Sequence, residues 1–245
     1  MDKMSLLAAS GLRTRMEALD LLANNLANSS TSGFKADQEM YGAYFGDAQR
    51  AADGTASSLP DVKGRWTNFS QGILNVTSNP TDLALSGKGF FSMQSPSGPV
   101  YTRDGQLRIS KDRTLTNADG YAVLDQAGKP IRLQSTDPFD VDRAGIVRQA
   151  KQVVGQIGVV DFPTPAALEK LGNSYFKTTP ASGAAALTKE PEVHQGKVEA
   201  SNSAPAESAV RLVSLMRQAE FLQRAISLSG DMGRKAIDEV GKVGS

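Results

Sequence analysis

The side chains that could carry chemistry are few and scattered. The 245-residue chain contains no Cys and a single His, His194. Without thiols there is no disulfide, no sulfur metal ligand and no cysteine nucleophile, and one imidazole offers little for acid–base or metal work. Asp137, Asp140 and Asp142 could crowd oxygens around a divalent cation. They lack the Gly and the distal Glu of a calcium loop, so a solvated charge cluster is expected. Gly87-Lys88-Gly89 has glycines that could cradle a phosphate, but neither the Lys-Ser/Thr ending nor a helical pattern follows, and a tight turn is expected instead. His194, among Pro and Glu, reads as an exposed loop residue. Asn68-Phe69-Ser70 and Asn75-Val76-Thr77 fit the glycosylation sequon by chance, given no secretory leader pattern. An enzyme would need a convergent nucleophile, base or metal site, and none is offered. No cofactor, metal or small-molecule substrate is expected.

The informative spacing is mechanical. Leu12, Met16, Leu19, Ala23 and Leu26 alternate steps of four and three, which puts them on one stripe of a helix. Near the other end Leu212, Leu215, Ala219, Leu222 and Ile226 keep the same alternation, continued by Ser229, Gly233, Ala236 and Val240. Phe221, Ala225, Leu228 and Met232 form a second stripe beside it. This is the a/d pattern of a coiled-coil seam. One helix cannot hide such a seam alone, so the termini are expected to pack on each other or on other copies of the chain.

Between these ends the period changes to two. Asp104-Gly105 between Val100–Arg103 and Gln106–Ile109 reads as a hairpin, and so does Asp119-Gly120 before Tyr121–Leu124. Further strands are expected at Leu83–Leu85, Phe90–Met93, Ile131–Leu133 and Ile157–Phe162, with one helical turn after Pro165. The spacing predicts an α+β protein with long N- and C-terminal helices forming a coiled-coil-like assembly domain, and a central all-β domain. Its divisions are an assembly helix over 1–34, a linker or extended loop over 35–65, the β domain over 66–200 and a second assembly helix over 201–245. The first helix is expected to stop in Asn28-Ser29-Ser30-Thr31-Ser32-Gly33, where Gly33 should take a positive φ before Phe34 starts a new direction.

Charge and hydropathy exclude other partners. Lys plus Arg number 27 against 26 Asp plus Glu, so no field draws the chain to nucleic acid. No apolar run approaches the roughly 20 residues that span a bilayer, so membrane insertion is not expected. Arg13, Arg15, Glu17 and Asp20 interrupt the stretch where a cleaved signal peptide needs unbroken apolar residues.

Leu22-Ala23-Asn24-Asn25-Leu26-Ala27-Asn28 followed by Thr31-Ser32-Gly33-Phe34-Lys35 resembles the N-terminal signature of bacterial flagellar rod and hook proteins. Asp82 to Phe91, Tyr101-Thr102-Arg103-Asp104-Gly105 and Glu199-Ala200-Ser201-Asn202 are similar to that family's central and C-terminal motifs. The likeness spans nearly the whole chain. Within the family, the Met1-Asp2 start, Ala36-Asp37 and the modest length look most like the proximal rod protein, with the distal rod protein close behind. The resemblance implies a structural subunit of the periplasm-spanning rod in the basal body. Such a subunit leaves the cytoplasm through the flagellar type III export apparatus, without a cleaved signal peptide, and stacks with copies of itself and other rod proteins. A free coiled-coil binding module or soluble adhesin would explain the stripes but not the central motifs. The expected assembly interface is Leu12, Met16, Leu19, Leu22, Asn24, Asn25, Leu26, Asn28, Gly33 and Phe34, with Leu212, Leu215, Ala219, Leu222 and Ile226.

Overall fold

The computed structural model describes residues 3–44 and 59–243. They form two compact units. One contains the terminal helices and a two-stranded sheet; the other consists of Asn28–Ala36 with Thr67–Ser203.

In the first unit α1 spans Lys3–Ala27 and α2 spans Pro205–Val243. Pro205 opens α2 where its missing N–H is harmless, and Glu207 puts a negative charge against the positive end of the helix dipole. Strands Asp37–Tyr44 and Leu59–Thr67 pair beside them. The expected coiled-coil-like assembly domain built from long terminal helices is overturned. The helices meet in a short patch of Ala18, Leu22 and Leu215, with Leu19 and Leu212 at its rim. Met16, on the expected seam, is 56% exposed, and Phe221, Leu228 and Met232 also face outward. The reason is the small sheet. Asn25 Nδ2 donates to the Asp37 carbonyl at 2.7 Å and its Oδ1 accepts from the Asp37 N–H at 3.0 Å, so the end of α1 is clamped to a strand. Arg211 Nη2 reaches Glu39 Oε2 at 3.3 Å and ties α2 to the same strand. A seam of knobs in holes would need each a/d residue covered by the partner helix, and here Met16 is left exposed while Asn25 and Arg211 bond to a strand. Most of the stretch 35–65 that reads as linker is therefore strand where it is described; Ala51–Ser58, Met1 and Asp2 lie outside the described residues, as do the side chains of Ser229, Gly233, Ala236 and Val240.

The second unit is built on a nine-stranded antiparallel sheet. Its main path runs Glu169–Gly172, Tyr175–Lys177, Gly98–Thr102, Phe90–Ser95, Ala122–Val123, Leu115–Thr116, Arg108–Ile109, with Val159–Asp161 also paired to Phe90–Ser95. Successive side chains of a strand point to opposite faces, and Phe90 and Phe91 show the consequence. Phe91 joins Leu83, Leu85, Met93, Leu115, Val123 and Ile157 in the larger core. Phe90 joins Tyr101, Phe162 and Phe176 in an aromatic cluster on the other side, with Phe69 packed edge-on against Phe90 and Phe176. Both faces of this strand are covered over Phe90–Met93, which is why Phe90 and Phe91 are apolar on opposite sides.

Asp119-Gly120 does join paired strands, with Thr116 opposite Ala122. Asp104-Gly105 does not, because Gly98–Thr102 pairs with Phe90–Ser95 and Tyr175–Lys177 while Arg108–Ile109 pairs with Leu115–Thr116. Gly105 serves close approach instead: a Cβ there would lie 1.7 Å from the Leu83 carbonyl oxygen. Ile131–Leu133 makes an isolated bridge and no strand, and Pro165–Ala167 forms a 3₁₀ turn where one helical turn was expected. His194 is no loop residue. It sits in strand Glu192–Gln195 opposite Ala84, with Nε2 3.2 Å from Glu192 Oε1.

Phe176→Ala should cost about 3–5 kcal/mol, because the ring is fully enclosed and its neighbours cannot close the gap. Thermal unfolding followed by circular dichroism should show a melting temperature lower by roughly 10 °C.

Candidate functional site

The four sequence motifs outside α1 come together at one buried charge cluster in the second unit. Gly33 enters it with φ +66°, as its place after the turn predicts. A Cβ on Gly33 would lie 2.2 Å from the Asp104 backbone nitrogen and 2.5 Å from the Arg103 carbonyl carbon, so the strap 28–36 can seat here only with glycine. The Gly33 N–H donates to the Glu199 carbonyl at 2.7 Å. Phe34 follows, buried, with the Lys170 ammonium 4.2 Å from its ring centroid. Lys35 then points inward with 0% of its side chain exposed.

The Lys35 ammonium donates to Glu199 Oε1 at 2.5 Å and to the Ser70 carbonyl at 2.7 Å. Glu199 Oε1 also accepts from the Gly72 N–H at 2.9 Å. On the other oxygen, Oε2, the Arg103 guanidinium binds at 3.2 Å, and its Nη2 continues to the Gly87 carbonyl at 2.7 Å. Two cations thus share one carboxylate away from water. Burial pulls the Lys35 pKa below its ordinary value, opposed by Glu199 and reinforced by Arg103. Burial likewise lowers Arg103, against Glu199 and the more distant Asp161. Taking an ion out of water costs several kcal/mol, so this arrangement exists only because carboxylate, carbonyls and amide are all in place. Arg103 Nε stays buried without a hydrogen bond.

Asn202 extends the cluster. Its Oδ1 accepts from the Ala36 N–H at 2.8 Å, while Nδ2 donates to the carbonyls of Asn68 at 2.7 Å and Ser70 at 3.0 Å. The segment 199–202 therefore holds the strap by both side chains and backbone. Gly87-Lys88-Gly89 forms a turn, with φ +81° at Gly87 and +118° at Gly89, and gives Arg103 an acceptor.

The structure disperses the expected interface residues. Leu19, Leu22, Leu212 and Leu215 meet in the helix patch, and Leu222 approaches Gly11, its Cδ1 3.6 Å from where a Cβ would stand. Leu12, Leu26, Ala219, Leu222 and Ile226 are half-buried, while Met16 and Asn24 face outward. Asn25 makes the clamp to Asp37; Asn28 accepts from the Thr31 N–H at 3.1 Å in the turn that starts the strap; Gly33 and Phe34 belong to the charge cluster. Ala18 is absent from the expected interface, and Lys35, Arg103, Glu199 and Asn202 stand in the sequence only as motif residues with no role assigned. A signal was there: Lys35 sits directly between Phe34 and Ala36, and Glu199 directly between Val198 and Ala200. Among the described residues no group of three or more His, Cys, Asp or Glu is placed to hold a metal ion.

Gly33→Ala should cost about 1–2 kcal/mol from the left-handed conformation alone and more from the contact with Asp104, measured by chemical unfolding. Asp104 supplies a pH test. Burial pushes its pKa up to about 6, the Gln106 N–H opposes, and Asp82 and Asp119 add to the rise. The folded chain holds this proton more tightly than the unfolded chain does. Ionisation therefore costs stability above about pH 6, and that cost disappears as pH falls towards the ordinary carboxyl range. Between pH 7 and pH 5 the native chain should gain melting temperature relative to Asp104→Asn; equal slopes would contradict this assignment.

Comparison with known proteins follows the same landmarks. The family described as flagella basal body rod protein matches residues 6–35, and that described as flagellar hook protein FlgE/F/G D1 domain matches residues 84–157. The flagellar basal-body rod protein FlgF of Caulobacter vibrioides is 31% identical over 246 residues, covering 99% of this chain and 100% of that protein. FlgF of Mesorhizobium japonicum is 32% identical over 89% of this chain and 91% of its own length. The rod protein FlgG of Buchnera aphidicola subsp. Schizaphis graminum is 30% identical over 94% of this chain and 96% of its own.

Proposed function

The chain belongs to the flagellar basal-body rod protein family and is a structural subunit of that rod, and from this premise we propose that it occupies the proximal rod. The observation that carries the proposal is the alignment with a FlgF protein over 99% of this chain and 100% of that protein, together with the Ala36-Asp37 junction. The alignment with FlgG proteins over 94% of the chain favours the distal rod as the second reading. In this proposal the chain passes through the flagellar type III export apparatus and then stacks on copies of itself and on other rod proteins.

The lateral contacts are assigned to the surface that the first unit leaves open. Phe221, Leu228 and Met232 on α2 are exposed, as are Val210 and Val213 nearer its start. Ala209, Val210, Val213, Ser214 and Arg217 line a groove of about 510 Å³. Exposed apolar area of this kind needs a partner to cover it, and the subunit's neighbours in the rod are the natural one. The half-buried residues Ala219, Leu222 and Ile226 flank this surface and are proposed to join it.

Two experiments separate the levels of the proposal. Phe221→Asp should leave the melting temperature unchanged but remove the chain from isolated basal bodies and abolish motility, because the side chain is hydrated before assembly and buried after it. Normal assembly of that variant would refute the interface. Basal bodies from cells lacking the distal rod protein should still contain this chain; its loss would refute the proximal position and leave the family assignment standing.

A further inference from the structure

The charge cluster is asymmetric in a way that sets an order of events. Lys35 arrives on the strap 28–36, whereas Glu199 and Asn202 arrive on a segment more than 160 residues later, closed by a bond spanning 164 positions. Arg103 directly follows the strand Gly98–Thr102, which is paired on both sides. With the strap lifted and the later segment seated, Glu199 keeps Arg103 on Oε2 and the Gly72 N–H on Oε1, a neutral and hydrogen-bonded pair. With the later segment lifted and the strap seated, Lys35 and Arg103 would face each other as two buried cations with no carboxylate between them. Gly33 would also lose its acceptor on Glu199, and Ala36 its acceptor on Asn202. Asp161, on the strand Val159–Asp161, forms no ion pair with Arg103 among the described residues and so does not stand in for Glu199. The first half-open state is tolerable and the second is not.

We infer that the cluster is a one-way latch: the strap 28–36 seats only on a segment 197–202 that is already in place, and leaves before it. The part of the chain made first is thereby fixed last. The device depends only on contacts within the second unit and stands apart from the rod position proposed above.

Amide hydrogen exchange on the full-length chain in graded denaturant tests it. The Asn68 amide, which donates to the Ala36 carbonyl at 2.8 Å and so reports the strap by itself, should exchange through a smaller opening than the Val198 and Ala200 amides. Ala200 donates to the Ile73 carbonyl and reports the later segment independently of the strap. Glu199→Gln leaves the two cations without a carboxylate, so it should speed exchange at Asn68 at least tenfold and by a larger factor than at Ala200. Adding Lys35→Met to that variant removes the excess cation and should bring the strap back to within threefold of native. Faster opening at Ala200 than at Asn68 in the native chain would overturn the latch, and so would native strap protection in Glu199→Gln. If Glu199→Gln proves too unstable to measure, the order of opening in the native chain decides by itself.

Discussion

A carboxylate shared by two buried cations is the constraint on which the second unit depends. Glu199 is fully enclosed, and each of its oxygens is used: one by Lys35 and the Gly72 amide, the other by Arg103. An apolar cluster of the same size would tolerate slippage, since its energy is not directional. A charge cluster does not, because any displacement leaves an ion without its partner in a place that water does not reach. Close backbone approaches reinforce this intolerance. Gly33 lies on the Arg103–Asp104 peptide, Gly72 on the Ala200 carbonyl and Gly105 on the Leu83 carbonyl, and none of the three sites has room for a Cβ. The outcome is a fixed path for the two segments that lead to and from the helices.

The first unit follows another logic. Among the described residues its contacts include a buried patch of Ala18, Leu22 and Leu215 between the helices, an asparagine that imitates a strand partner, and an ion pair from α2 to a strand. Much of α2 keeps its apolar side chains in contact with solvent. A subunit of a polymer needs that division. One part must be finished before assembly, and another must keep surface in reserve for its neighbours. The directional cluster suits the first requirement and the exposed stripe suits the second.

Legibility from sequence varied with the range of the interaction. The helices were readable because their signals lie three and four residues apart, and the positive φ of Gly33 because a helix stop and a change of direction meet there. The seam was over-read. An a/d pattern states which face is apolar but not what covers it, and the clamp of Asn25 on Asp37 turned a strand against the helix. Asp104-Gly105 misled for a related reason: the dipeptide that usually turns a hairpin was spent on a backbone contact with Leu83, sequence-distant and invisible to local pattern. The charge cluster was hidden deepest. Lys35, Arg103 and Glu199 each looked like ordinary motif residues, and only the fold shows that three motifs are the parts of one interaction.

Thermal unfolding of Glu199→Gln beside Lys35→Met tests this account most directly. Removing Lys35 leaves a neutral Arg103–Glu199 pair, whereas removing the charge of Glu199 leaves two buried cations unpaired. Breaking a buried pair from one side costs about 3–5 kcal/mol. In a chain of this size that is a fall of roughly 10 °C in melting temperature. The account predicts such a fall for Glu199→Gln and a change of no more than a third of it for Lys35→Met. Equal losses in the two variants, or a larger loss for Lys35→Met, would contradict it.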